Sequence, residues 1–84
     1  MPDAENKSKL RWQCRRGTKE LDLLLTRFLA QRFDHVLAPY QAAFCKLLEQ
    51  QDPTIADWIW GRAPVPDGDL QEVITMIRED AGFR

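Results

Sequence analysis

The chain has few groups with which to do chemistry. His35 is its one imidazole, and Cys14 and Cys45 are its only thiols. The two cysteines stand far apart and outside any CxxC pattern, so neither a disulfide framework nor a zinc site follows. Each lies in a helix-like segment, where a lone cysteine behaves as a small hydrophobe. Free, buried or half-buried thiols are expected, in keeping with a reducing compartment. Phosphate-cradling glycine loops, a nucleophile elbow and an HExxH pattern are all missing. No pair of carboxylates is marked as a general acid and base, and short helices in so small a chain leave little room for a pocket. Catalytic residues, a metal and a stably bound cofactor are therefore not expected.

Long apolar runs are absent too. Nothing approaches the ~20 apolar residues of a membrane span, and "MPDAENKSKLRW" at the start has no apolar signal-peptide core. A soluble, cytoplasmic protein without membrane insertion is expected. Nor does any segment alternate apolar and polar residues in the manner of a strand.

What the 84 residues do contain is charge and helical periodicity: 30% are charged and 44% hydrophobic. The length suits one domain, 1–84, with a frayed N-terminus over 1–6 and a loop over 62–68. The net charge of −1 is unevenly spread: residues 1–32 carry eight Lys/Arg against four Asp/Glu, and residues 33–84 carry four against nine. Such a split suits either a basic face meeting a partner or two faces that complement each other within the fold. Nucleic acid is not the expected partner.

The apolar spacing predicts an all-α bundle of about five short helices. The first runs from about Asn6 to Arg16, with Leu10 and Cys14 one turn apart. The second, Thr18–Phe33, is the most regular, with Leu21, Leu24, Leu25, Phe28 and Leu29 on one stripe and Leu23 on the other side. Pro39 suits the first position of a third helix that carries Tyr40, Phe44, Leu47 and Leu48 to about Gln50. Asp52-Pro53 reads as an N-cap and first residue of a fourth helix with Ile55, Trp58 and Ile59 on one face, stopped by Gly61. After the turn-rich "RAPVPDGD", Asp69 and Glu72 form a capping-box-like pair. They open a last helix with Leu70, Val73, Ile74 and Ile77, ended by Gly82. Trp58 is expected in the core; Trp12 and Trp60 lie off the main stripes, as core edges or partner anchors.

The joint between the first two helices, "CRRGTKELDLLL", is the densest cluster of charge. A glycine costs about 1 kcal/mol inside a helix, so Gly17 is expected in the left-handed conformation that commonly ends one. Punctuation alone needs Gly17. It does not need Arg15, Arg16, Lys19 and Glu20 around it.

"RRGTKELDLLLTRFL" resembles the RGxxE signature of the SdhE/YgfY family, the succinate dehydrogenase assembly factor 2 family. The resemblance continues through Phe33 and Leu37, the Phe44-x-x-Leu47-Leu48-Glu49 block, Asp52-Pro53, Trp58 and Gly61, and so covers about residues 8–80. The chain departs from the pattern at Thr18-Lys19, where many members are apolar, and at Ala38-Pro39, where many carry a Ser/Thr cap. The resemblance implies a small five-helix assembly factor, not an enzyme. Such a protein binds the flavoprotein subunit of succinate dehydrogenase, in some bacteria that of fumarate reductase, and promotes covalent attachment of FAD to a histidine of that client. It further implies partner-binding roles for Arg16, Gly17 and Glu20, with Arg15 and Asp22 as natural additions. The planar fork of Arg16 suits a grip on a carboxylate or carbonyl. Gly17 would let a partner's backbone approach, and Glu20 could orient Arg16 or meet a cation. An antitoxin-like or other regulatory binding module is the alternative implied by some relatives.

Overall fold

The structure is a computed structural model that describes residues 2–82, with side chains described from Lys7 onward. Five helices follow one another: α1 (Pro2–Gln13), α2 (Lys19–Gln31), α3 (Ala38–Leu48), α4 (Asp52–Ile59) and α5 (Gly68–Asp80). A single 3-10 turn at Phe33–His35 follows α2. The described residues form no strand, so the all-α expectation holds.

All five helices, with Cys14 just beyond α1, meet in one core. The stripe expected on α2 is buried in full, with Leu25 and Phe28 closed to solvent. Phe28 stacks on Phe44 of α3 with ring centroids 4.6 Å apart and planes 27° from parallel. Phe33, in the 3-10 turn, leans on the same ring at 5.8 Å. This offset packing adds to what the burial of the rings already contributes. Leu10 and Cys14, Ile55 and Ile59, and Leu70, Val73, Ile74 and Ile77 close the core from the other helices. One expected member is different: Trp58 is half-buried and packs against the core from its edge. Its indole is longer than the isoleucines on either side, and Ile55 and Ile59 fill the space beneath α4. Leu23 points outward and is 56% exposed.

Polar contacts fix the helix ends. Arg32, the C-cap of α2, donates to Asp80 Oδ1 at 2.9 and 3.1 Å, and Arg27 donates to the Asp80 carbonyl at 2.9 Å. Together they tie the end of α5 to α2. Arg78 donates to the Ile59 carbonyl at the end of α4. Gly61 (φ 74°) and Gly82 (φ 83°) lie just past α4 and α5 in the left-handed region, where a Cβ is unfavourable.

Several boundaries differ from those read in the sequence. Helix α1 begins at Pro2 and ends at Gln13, short of Arg16. Helix α3 begins at Ala38, with Pro39 inside its first turn. The N-cap of α4 is Gln51, which makes Asp52 the first helical residue. The N-cap of α5 is Asp67, whose carboxylate accepts from the Asp69 amide at 2.8 Å. The choice of Asp67 over Asp69 follows from the loop: an Asx turn around Gly68 captures the first free amide.

Truncation of Leu25, at the centre of α2, to alanine should cost about 2–5 kcal/mol, through lost transfer energy and the cavity left behind. Urea denaturation of the purified variant measures it. An unchanged midpoint would show that this face of α2 is not the core face.

Candidate functional site

Between α1 and α2 the chain turns through Cys14–Thr18, and here the charged cluster divides in two. One part points inward and knots the helices together. The other faces solvent.

Arg16 is the inward part. Its side chain is only 14% exposed. One terminal nitrogen donates to the carbonyls of Leu48, at 2.9 Å, and Gln50, at 3.0 Å. These lie at the end of α3, where carbonyls have no helical partner and the helix dipole favours a cation. Its Nε sits 3.4 Å from Asp52 Oδ1, at ion-pair distance but without the alignment of a hydrogen bond. The second oxygen, Asp52 Oδ2, accepts from the Gly17 amide at 3.0 Å. Two residues of the first joint are thereby fastened to the joint between α3 and α4.

Two expectations are corrected here. Gly17 is not in the left-handed region; among the described residues only Gly61 and Gly82 have positive φ. α1 has already ended at Gln13, so Gly17 has no helix to cap, and its amide goes to Asp52 instead. A Cβ placed on Gly17 would meet Asp52 Oδ2 at 3.4 Å, an ordinary contact. Second, Glu20 does not orient Arg16. Asp52 stands in that place, and the fork of Arg16 grips carbonyls of its own chain.

Arg15, Gly17 and Glu20 are exposed, and Asp22 is half-buried. The Asp22 carboxylate accepts weakly from Thr26 Oγ at 3.4 Å, one turn along α2. Among the described residues, no ion pair or hydrogen bond engages the side chains of Arg15 and Glu20. Beside Glu20 a hollow of about 310 Å³ opens, lined by Thr18, Glu20 and Leu21 on one side and by Ala56, Trp60 and Arg62 on the other. The RGxxE segment therefore faces α4 across a cleft. Asp52 and Ala56 of α4 and its C-cap Trp60 follow one another at i, i+4 spacing. Asp52 is the residue that reading the sequence missed. The signal was available in part, since a carboxylate beside a first-turn proline is free to serve a distant partner once another residue takes the N-cap.

A larger groove of about 600 Å³ lies between α1 and α3, lined among others by Lys7, Lys9, Asp34, Cys45 and Glu49. Lys7 crosses it to Asp34 at 2.9 Å. The described residues contain no group of three or more His, Cys, Asp or Glu placed to hold a metal, and none of their helices is long and apolar enough to cross a membrane.

Cys14 is sealed from solvent behind this joint. Burial pushes its thiol from the ordinary 9.0 up to about 11; the Arg16 charge opposes this and Asp22 adds slightly to it. Cys45 is raised as well, by burial first and then by Glu49. Both are free thiols.

Comparison with known proteins finds similarity over nearly the whole chain. A family model described as "Flavinator of succinate dehydrogenase" matches residues 8–81. Among curated proteins, the FAD assembly factor SdhE of Legionella pneumophila (strain Paris) is 41% identical over 76 residues, covering 90% of this chain and 95% of its own. The protein of the same name from Coxiella burnetii is 37% identical over 71 residues, covering 84% and 87%. That of Pectobacterium atrosepticum is 33% identical over 76 residues, covering 90% and 86%.

Replacement of Arg16 by alanine strands two carbonyls and the Asp52 carboxylate, and should cost about 1–3 kcal/mol. Arg16→Lys should restore only part of this, because an ammonium lacks the fork. Chemical denaturation of both proteins provides the measure. A second expectation concerns alkaline pH. A thiol whose folded pKa lies above its unfolded value contributes stability that is complete below about pH 9. That contribution is lost as pH rises through about 11, because the unfolded chain releases its proton first. The melting temperature should therefore fall more steeply between pH 9 and 11 in the wild type than in Cys14→Ala; parallel curves would show that Cys14 ionises normally.

Proposed function

The chain belongs to the family of succinate dehydrogenase flavinators, and on that premise we propose that it binds the flavoprotein subunit of succinate dehydrogenase and promotes covalent attachment of FAD to it. The flavoprotein subunit of fumarate reductase is a second client of the same kind. FAD is cargo of the client and not a resident group of this chain, and the bond forms within the client.

The observation that carries this reading is the division of the charged joint. Arg15 and Glu20 are exposed and have no partner among the described residues, and Glu20 lines a cleft. Arg16 and Asp52, by contrast, are taken up by contacts within the fold. Arg15, Gly17, Glu20 and Asp22 form the surface offered to the client. Arg16 takes part chiefly by holding that surface in place, and Gly17 leaves room for a client backbone to come close. Action through the client's conformation is sufficient: a partner that binds one arrangement of the flavoprotein raises its population in proportion to its differential affinity. In that arrangement the client's own groups stand in register for the bond, which lowers the barrier by positioning alone.

Gly17 provides the sharpest test, because its backbone is not one that only glycine adopts. Gly17→Ala should remain folded, and should be neutral or up to about 1 kcal/mol more stable, through reduced freedom of the unfolded chain. Glu20→Ala should likewise remain folded, within about 1 kcal/mol of the wild type. Both should lower covalent flavin on the succinate dehydrogenase flavoprotein, read by in-gel flavin fluorescence in cells complemented at native expression. Full fluorescence with either folded variant would defeat the docking role of that residue. Full fluorescence with both would defeat the proposed surface.

A further inference from the structure

We infer that Asp52 is a positioning residue for the client-docking surface, a latch that sets the start of α2 at a fixed distance from α4. The inference rests on the proposed docking role of the RGxxE segment and assigns the residue that holds that segment in shape.

Three features of Asp52 lead to this. Its carboxylate makes no hydrogen bond to its own helix, whose N-cap Gln51 makes no side-chain capping bond either. Both of its oxygens go instead to the other joint: Oδ2 accepts from the Gly17 amide at 3.0 Å and Oδ1 lies 3.4 Å from Arg16 Nε. And Ala56, one turn along α4 from Asp52, lines with Trp60 and Arg62 one side of the cleft whose other side is Thr18, Glu20 and Leu21. The latch thus joins the first residue of α4 to Gly17, next to Thr18 and three residues from Glu20. Loss of the Gly17 bond would free the backbone immediately before α2, and the direction in which Glu20 projects would no longer be set before the client arrives. The client would then have to order the joint itself, at a cost in affinity.

A stability role alone would look different. It would lower the melting temperature and leave the folded protein's affinity for the client unchanged. Asp52→Ala removes both contacts outright; Asp52→Ser is a second variant that suits a helix start and also removes both contacts. Each is titrated as full chain, below its melting temperature, against the purified apo-flavoprotein subunit of succinate dehydrogenase in the presence of FAD. The Gly17 amide is followed by hydrogen exchange in the free protein. The expected result is faster Gly17 exchange together with about tenfold or weaker binding, a loss equal to about 1.4 kcal/mol. Combined with Glu20→Ala, the loss should be clearly less than additive, because both substitutions spoil one contact. Wild-type affinity in the folded variants would overturn the latch, as would weaker binding with unchanged Gly17 exchange and full additivity, which marks direct contact by Asp52. If Glu20→Ala and Gly17→Ala both bind as wild type, the docking surface fails first, and any loss at Asp52 belongs to another surface.

Discussion

The arrangement depends on one guanidinium. Arg16 lies where two loops cross, and its terminal nitrogen is shared between carbonyls at the close of α3 while its Nε faces the carboxylate that begins α4. A helix end leaves carbonyls without partners, and their desolvation is unfavourable unless a donor reaches them. Arg16 supplies that donor from more than thirty residues away in the chain. Four helix ends are thereby brought to one place. The apolar core beneath, centred on Phe28 and Phe44, supplies most of the driving force for folding. It does not by itself decide how the loops above it lie, because apolar contact is not directional.

This arrangement lets adjacent residues do different work. Arg15 and Arg16 are neighbours, yet one is exposed and the other nearly closed to solvent. Gly17 offers its amide inward and its bare Cα outward. The segment is short enough that its inner contacts fix its outer face, so the rigidity a docking surface needs comes from the same few hydrogen bonds that join the helices. A small protein gains by this economy, because it has little buried area with which to stiffen a separate site.

The fold was legible to the extent that it depends on periodicity. Leu21, Leu24, Leu25 and Phe28 recur at the helical spacing, and no other regular structure buries them together. Trp58 was misplaced because spacing reports the face of a helix and not how far a large ring can be pushed inside. Gly17 was misread because a glycine after a basic helical segment has the pattern of a C-cap, and only the early end of α1 removes that role. Asp52 looked like a cap for its own helix, which local rules favour. Its true partners, Arg16 and Gly17, are remote in sequence, and nothing local announces them. The proposed site residues were picked out through the resemblance of the segment to a known signature; the inward or outward direction of each was not legible.

The closed environment of Cys14 has a bearing on oxidation. Peroxides attack the thiolate and need access to the sulfur. Cys14 has neither a low pKa nor an open path, and Cys45, though half-buried, is also held toward the neutral thiol. With both thiols free and the core held by apolar packing and hydrogen bonds, the described structure does not depend on the redox poise around it. A protein built this way keeps its shape, and the outward face of its charged joint, in surroundings where electron carriers generate oxidants.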